Sequence, residues 1–179
     1  MVLAGGASSR MGRDKAGVAV EGRPMISWVV GALESVTDRV VVAGRPDGWE
    51  GRPGVADLPG LTGPLAGLGA ALRLGEPVIL VAVDQPWVRT ETLRRLGQVG
   101  ETAVPVHDER RQVTCAVYHP DLARTLERAG SLQDLMDLAP PLEITEPVWR
   151  AWGEDGRSWF SVDRPEEIEK GLSLYGPPE

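Results

Sequence analysis

The chain has 179 residues, 42% hydrophobic and 25% charged, which suits one domain with a core that needs no covalent staples. With 26 acidic residues against 19 basic ones its net charge is −7, which argues against a broad face for nucleic acid. No apolar run approaches a membrane span, the start lacks a signal-peptide pattern, and the single Cys115 rules out an internal disulfide, so a cytoplasmic location is expected.

Val2-Leu3-Ala4 reads as a short buried strand, brief enough to suggest that the gene product starts a few residues upstream. A Gly-rich, basic loop follows, and residues 10–23 carry Arg10, Arg13, Lys15 and Arg23 against Asp14 and Glu21, a net +2 within an acidic chain. Val18-Ala19-Val20 and the turn Glu21-Gly22 lead to Pro24, after which Met25, Val29, Ala32, Leu33 and Val36 repeat at helical spacing. Residues 39–43 form a continuous apolar strand, of the kind covered on both faces of a sheet. A long Gly- and Pro-rich connection is expected over 44–63, and Pro64 opens a second helix with Leu65, Leu68, Ala71 and Leu72 as its stripe.

Residues 78–83 are the clearest strand, ending abruptly at Asp84. A helix is predicted at 90–97, and strands at 103–106 and 112–118 are placed to pair antiparallel across the turn His107-Asp108-Glu109-Arg110. Helices near 120–129 and 131–138, weak strand signals over 142–149, a strand-like stretch at 158–162 and a final helix from Pro165 complete the pattern. Alternating strands and helices indicate a mostly parallel α/β sheet in one domain over 1–175, with 176–179 a disordered tail. In such sheets the ligand crevice lies at the carboxyl ends of the strands, where the Gly loop and Asp84 both open.

Consecutive glycines can aim backbone N–H groups at an anion, Ser8 and Ser9 can add hydroxyl donors, and Arg10 and Lys15 add positive charge. The loop matches neither GxxxxGK[ST] nor GxGxxG, and its other, lesser reading is a surface turn with solvated charges. Asp84 suits a Mg²⁺ shared with phosphate oxygens, or a helix cap. The element Gly63-Pro64-Leu65-Ala66-Gly67, with Asp57 upstream, suits close approach to a ligand or tight helix–sheet packing. Asp163, just ahead of Pro165-Glu166-Glu167, reads first as a helix start, and otherwise as a second acidic site facing the crevice. His107 and His119 lack metal-ligand spacing, Cys115 suits a core position, and the tryptophans suit core or rim packing, with Trp149 and Trp152 near enough in sequence to line a pocket for a planar ligand.

Taken together, Leu3-Ala4-Gly5-Gly6-x-Ser8-x-Arg10-Met11-Gly12-x-Asp14-Lys15 resembles the signature loop of the MobA-like nucleotidyltransferases, and among them the molybdenum cofactor guanylyltransferases. The Gly63–Gly67 element, Asp84-x-Pro86, Val106-His107-Asp108 with Thr114 beyond it, and Asp163-x-Pro165-Glu166-Glu167 follow in the family's order. The resemblance implies a single-domain Rossmann-like three-layer sandwich whose mostly parallel sheet has one antiparallel strand. It also implies transfer of GMP from GTP to the terminal phosphate of molybdopterin, with release of pyrophosphate. Leu3, Ala4, Gly5, Gly6 and Ser8 would then lie against the nucleotide, Arg10 and Lys15 would hold the triphosphate, Asp57 would help with the nucleoside, and Asp84 would bind Mg²⁺. Molybdoenzyme-specific chaperones or other cofactor-synthesis proteins are implied partners, with no nucleic acid and no membrane.

Two departures stand out. The family's closing element usually reads Asn-x-Asn-x-Pro, whereas this chain has Ser161-Val162-Asp163-Arg164-Pro165, and Ala43 stands where the family often has Asn. Two alternatives therefore remain: a CTP-dependent cytidylyltransferase, against which Gly5-Gly6 favours the guanine branch, or a nucleotide-binding carrier without catalysis.

Overall fold

The apolar run at 78–83 becomes the hub of the sheet in the computed structural model, which describes residues 1–5 and 14–179. Gly6, Ser8 and Arg10 lie outside the described residues. In chain order the elements are β1 (Val2–Leu3), the hairpin β2 (Ala19–Val20) and β3 (Arg23–Pro24), α1 (Met25–Glu34), β4 (Val42–Ala43) and β5 (Gly54–Val55). There follow α2 (Pro64–Leu72), β6 (Val78–Ala82), α3 (Thr90–Gly97), β7 (Ala103–His107), β8 (Arg110–Arg111) and β9 (Cys115–Tyr118). Last come α4 (Leu132–Leu138), β10 (Leu142–Ile144), α5 (Glu146–Ala151) and α6 (Glu166–Tyr175).

The main sheet runs β10-β7-β9-β6-β1-β4-β5, with β8 folded back on β7. Along that path every pairing is parallel except those of β9, which is antiparallel to both β6 and β7. The period-two alternation of strand side chains then sorts the core onto two faces. Val81, Cys115 and Val117 meet Ile26, Val29 and Leu33 of α1 and Leu93 and Leu96 of α3. Leu80, Ala116 and Tyr118 meet Leu65, Leu68 and Leu72 of α2 and Leu135 and Met136 of α4. Each fully buried Leu contributes roughly 1.5–3 kcal/mol, so these two layers dominate stability. The result is the expected three-layer α/β sandwich.

A third apolar cluster has a different duty. Val18 and Val20 at the β2–β3 hairpin and Met25 at the start of α1 meet Trp87, beyond β6, and Val162, ahead of α6. Trp87 and Phe160 pack edge to face at 5.6 Å, and Gly171 lets α6 lie directly on the Trp87 indole. Three parts of the chain distant in sequence are thereby fastened below one point of the carboxyl edge.

Several local expectations differ from the structure. The strand expected at 39–43 pairs only at Val42–Ala43, and the connection over 44–63 contains β5, which extends the sheet alongside β4. Residues expected as helix near 120–129 form two 3-10 turns. Where weak strand signals spanned 142–149, β10 ends at Ile144 and α5 begins, with Pro147 in its first turn. The strand-like stretch at 158–162 begins instead as a 3-10 turn, because the buried Glu154 carboxylate collects the N–H groups of Asp155, Gly156 and Ser158. At the C-terminus Trp87 Nε1 donates to the Gly176 carbonyl at 2.7 Å, and Pro178 is buried.

The ends of β1 and β4 pass in contact. Gly44 has a φ of 80°, and a Cβ built on it would lie 2.2 Å from the Gly5 Cα. Gly22 has a similar φ of 73° but open space around it. Gly22→Ala is expected to cost about 1 kcal/mol of backbone strain, and Gly44→Ala at least about 2 kcal/mol more. Urea denaturation of the two variants measures the difference, and equal losses would contradict the contact.

Candidate functional site

Every strand next to β1 in the sheet points the same way, so Asp84 after β6, Gly5 after β1, Gly44 after β4 and Asp57 after β5 share one edge. The Leu3 carbonyl accepts from Val83 N and Ala4 N donates to the Ala43 carbonyl, each at 2.9 Å, which roots the loop in the sheet. Gly5 is the first residue beyond these bonds, and a Cβ on it would lie 2.7 Å from the Gly44 Cα. Glycine at position 5 is thus demanded by packing. Ala43 is buried, and its Cβ would be 2.5 Å from one on Gly67, so the small residues of α2 serve close helix–sheet packing.

Beyond residues 6–13 the chain re-enters at Asp14, whose carboxylate caps a 3-10 turn by accepting from Ala16 N at 3.1 Å. The same carboxylate pairs with Arg45, whose guanidinium also lies over the Trp49 ring at 5.2 Å. Gly5 and Asp14, the two flanks of that segment, therefore rest on consecutive residues, Gly44 and Arg45.

Lys15 begins the turn and sends its ammonium to the end of β6. Its Nζ donates to Asp84 Oδ2 at 3.0 Å and to Asp163 Oδ1 at 2.6 Å. Burial alone would lower the Lys15 pKa, but hydrogen bonds and charge from Asp163 and Asp84 outweigh it and hold it above the ordinary value. Asp84 behaves unlike an exposed paired acid. Burial raises its pKa, Lys15 offsets only part of that rise, and the like charge of Asp163 adds to it. Both carboxylates keep some exposure, 23% at Asp84 and 43% at Asp163, so the cluster opens to the edge.

Asp163 reaches this place through its neighbours. Val162 N donates to the Asp84 carbonyl at 2.8 Å, which lays the strand-like segment along the end of β6. Glu167 turns back to accept from the amides of Asp163 and Arg164, the job a capping side chain at 163 would otherwise do. The Asp163 carboxylate is left to Lys15. Of the two readings the sequence offers for Asp163, a helix start and a second acidic site facing the crevice, the helix start weighs more on composition, and the one further signal is an acid where the family's closing element carries Asn.

Two hard carboxylate oxygens around a cation are a donor set suited to Mg²⁺, which takes one or two carboxylates and fills the rest of its octahedron with phosphate or water oxygens. Among the described residues no group of three or more His, Cys, Asp or Glu is arranged as a metal cage. Asp57 is exposed at the far end of the same edge. Cys115 is buried, and burial pushes its thiol up, in keeping with a core role. A cavity of about 660 Å³ opens at the opposite, amino edge, between Met1, Val41, Ile79 and Leu93, and holds none of the candidate residues.

Comparison with known proteins gives this edge a family. The model of the MobA-like NTP transferase domain matches residues 1–143, stopping short of Asp163. A probable molybdenum cofactor guanylyltransferase of Pelotomaculum thermopropionicum is 32% identical over 95% of this chain and 89% of its own length. Another, from a Nostoc species, is 36% identical over 73% of this chain and 72% of its own. Among solved structures, molybdopterin-guanine dinucleotide biosynthesis protein A of Archaeoglobus fulgidus shares the fold with a TM-score of 0.83, at 24% identity, over 97% of this chain and 96% of that one. On the extent of the family match and of the first relative's alignment, this chain belongs to the MobA-like NTP transferase domain family.

Proposed function

We propose that the protein transfers GMP from GTP to the terminal phosphate of molybdopterin and releases pyrophosphate. The observation that carries this reading is the Lys15–Asp84–Asp163 cluster on the carboxyl edge of a sheet whose relatives are guanylyltransferases. An oxygen of the acceptor phosphate attacks the α-phosphorus of GTP, and the bond from that phosphorus to the oxygen bridging to the β-phosphate breaks. The attacking oxygen is already anionic, so no side-chain base is required. What the site must supply is alignment and neutralisation of charge.

In this reading Leu3, Ala4 and Gly5 border the nucleoside, Asp57 assists it from the end of β5, and Gly6, Ser8 and Arg10 act on the phosphates together with Lys15. Asp84 holds Mg²⁺, with Asp163 as a second carboxylate beside it. The bound Mg²⁺ supplies charge neutralisation at the phosphates. Lys15, kept protonated by its two acids, adds fixed positive charge where pyrophosphate departs.

Because packing already accounts for Gly5, that residue does not by itself choose guanine over cytosine. Thermal shift with GTP and with CTP, each with Mg²⁺, makes the choice: a larger shift with CTP would replace the guanylyl reading by the cytidylyl one. GTP binding without pyrophosphate release in the presence of molybdopterin would make the protein a carrier.

Asp84→Ala is expected to lower kcat about 100-fold or more while the protein stays folded, as measured by pyrophosphate release and circular dichroism. Near-normal turnover would remove Asp84 from the metal role. Asp84→Asn is expected to be more stable than the native chain at neutral pH, since ionised Asp84 weakens the fold despite Lys15. With a folded pKa raised above the unfolded one, the native chain keeps full stability only in acid and loses it as pH rises through the folded value. The advantage of Asp84→Asn should accordingly vanish below the ordinary carboxylate range and grow above it. Urea midpoints from about pH 3 to about pH 8 test this.

A further inference from the structure

Asp84 stands in the middle of the carboxyl edge, with β1, β4 and β5 to one side and β9 and β7 to the other. If the nucleotide lies on the β1–β5 side, an acceptor attacking at Asp84 has to approach from the β7 side. β7 is parallel to β6, and its last residue, His107, opens on that edge two strand spacings from β6, roughly 10 Å away.

His107 is mounted there with care. Its side chain is 31% exposed and rests against two buried indoles, Trp149 and Trp159, at centroid distances of 5.7 and 5.6 Å. Trp149 Nε1 is fixed by the Val106 carbonyl at 2.9 Å. Gly156 brings bare backbone against the ring, where a Cβ would meet His107 Nε2 at 3.0 Å. The turn beside it places Asp108 and Glu109 at φ of 49° and 60°, a two-residue hairpin in which neither residue is glycine. That geometry costs on the order of 1 kcal/mol or more and is maintained nonetheless.

One strip of chain joins this mount to the reaction centre. Trp159 lies against His107 and Asp163 lies against Lys15, and the four-residue step between them spans at most about 14 Å of extended chain. The edge therefore presents a flat imidazole at one end and a charged cluster at the other, spaced for an acceptor whose reacting phosphate is carried away from a planar ring.

We propose that His107 is a specificity-determining residue that meets the pterin ring of the acceptor while the acceptor's phosphate reaches the Lys15–Asp84–Asp163 cluster. The assignment rests on the guanylyl-transfer reading. A partly exposed imidazole backed by aromatic rings stacks on a flat heterocycle, while Nε2 faces Gly156 and Nδ1 faces the Asp108 carboxylate at 3.7 Å.

The test compares His107→Ala and His107→Phe with the native chain, measuring kcat and both KM values by pyrophosphate release. Direct binding of molybdopterin is followed by quenching of tryptophan fluorescence. His107→Ala is expected to raise the KM and Kd for molybdopterin about tenfold or more, with kcat and the KM for GTP within about twofold. His107→Phe, which keeps a planar ring, is expected to restore most of the lost affinity. Unchanged molybdopterin binding in His107→Ala overturns the proposal. So does equal loss in the Phe variant, or a parallel rise in the KM for GTP. If the native chain binds molybdopterin through His107 yet releases no pyrophosphate, guanylyl transfer falls and the subsite stands. If it binds none, both fall.

Discussion

An ammonium held between two partly buried carboxylates is the interaction on which the rest of this edge depends. Asp84 sits where ionisation is unfavourable, and a buried charge is tolerated only when it is paired. Lys15 supplies that pairing and in turn draws in Asp163, so the loop exit, the end of β6 and the approach to α6 converge. The apolar cluster of Val18, Met25, Trp87 and Val162 lies beneath the same three segments. It stabilises the convergence without requiring the charges to do so alone.

The same economy governs the root of the Gly-rich loop. Gly5 touches Gly44, and Asp14 pairs with Arg45, so the flanks of residues 6–13 stand on neighbouring positions just past β4. Packing fixes Gly5 and ion pairing fixes Asp14. A glycine that looks like a ligand contact in the sequence is thereby explained first as a steric necessity. Ala43 is similar: its contact with Gly67 lets α2 settle onto the sheet, and a larger side chain there would hold them apart.

Sheet topology divides the edge. Parallel strands β6, β1, β4 and β5 place candidate nucleotide residues side by side, while antiparallel β9 separates them from β7. That one reversed strand sets the interval between Asp84 and His107. The buried Glu154, accepting from Thr92 and Ser158 as well as from backbone amides, steadies the loop that carries Gly156 and Trp159 under His107.

Much of this architecture was legible in the residues. The strand signals at 78–83 and 112–118 (the latter paired only from Cys115), helical stripes from Met25 and Pro64, and the abrupt end at Asp84 are local patterns, and local patterns dictate local backbone. Short or irregular pieces were not legible: β5 pairs along the edge that β4 offers, and the turn at 157–159 follows from Glu154 capturing the amides of Asp155, Gly156 and Ser158. The sequence by itself determined the strand–helix alternation, the carboxyl-edge placement of Gly5 and Asp84, and the core position of Cys115. Only the tertiary structure decided that Asp163 joins Lys15 and that His107 rests on Trp149 and Trp159. The reason is physical: backbone preference is encoded within a few neighbouring residues, whereas a charge pair between positions 15 and 163 leaves no periodic trace until the sheet and its apolar clusters bring them together.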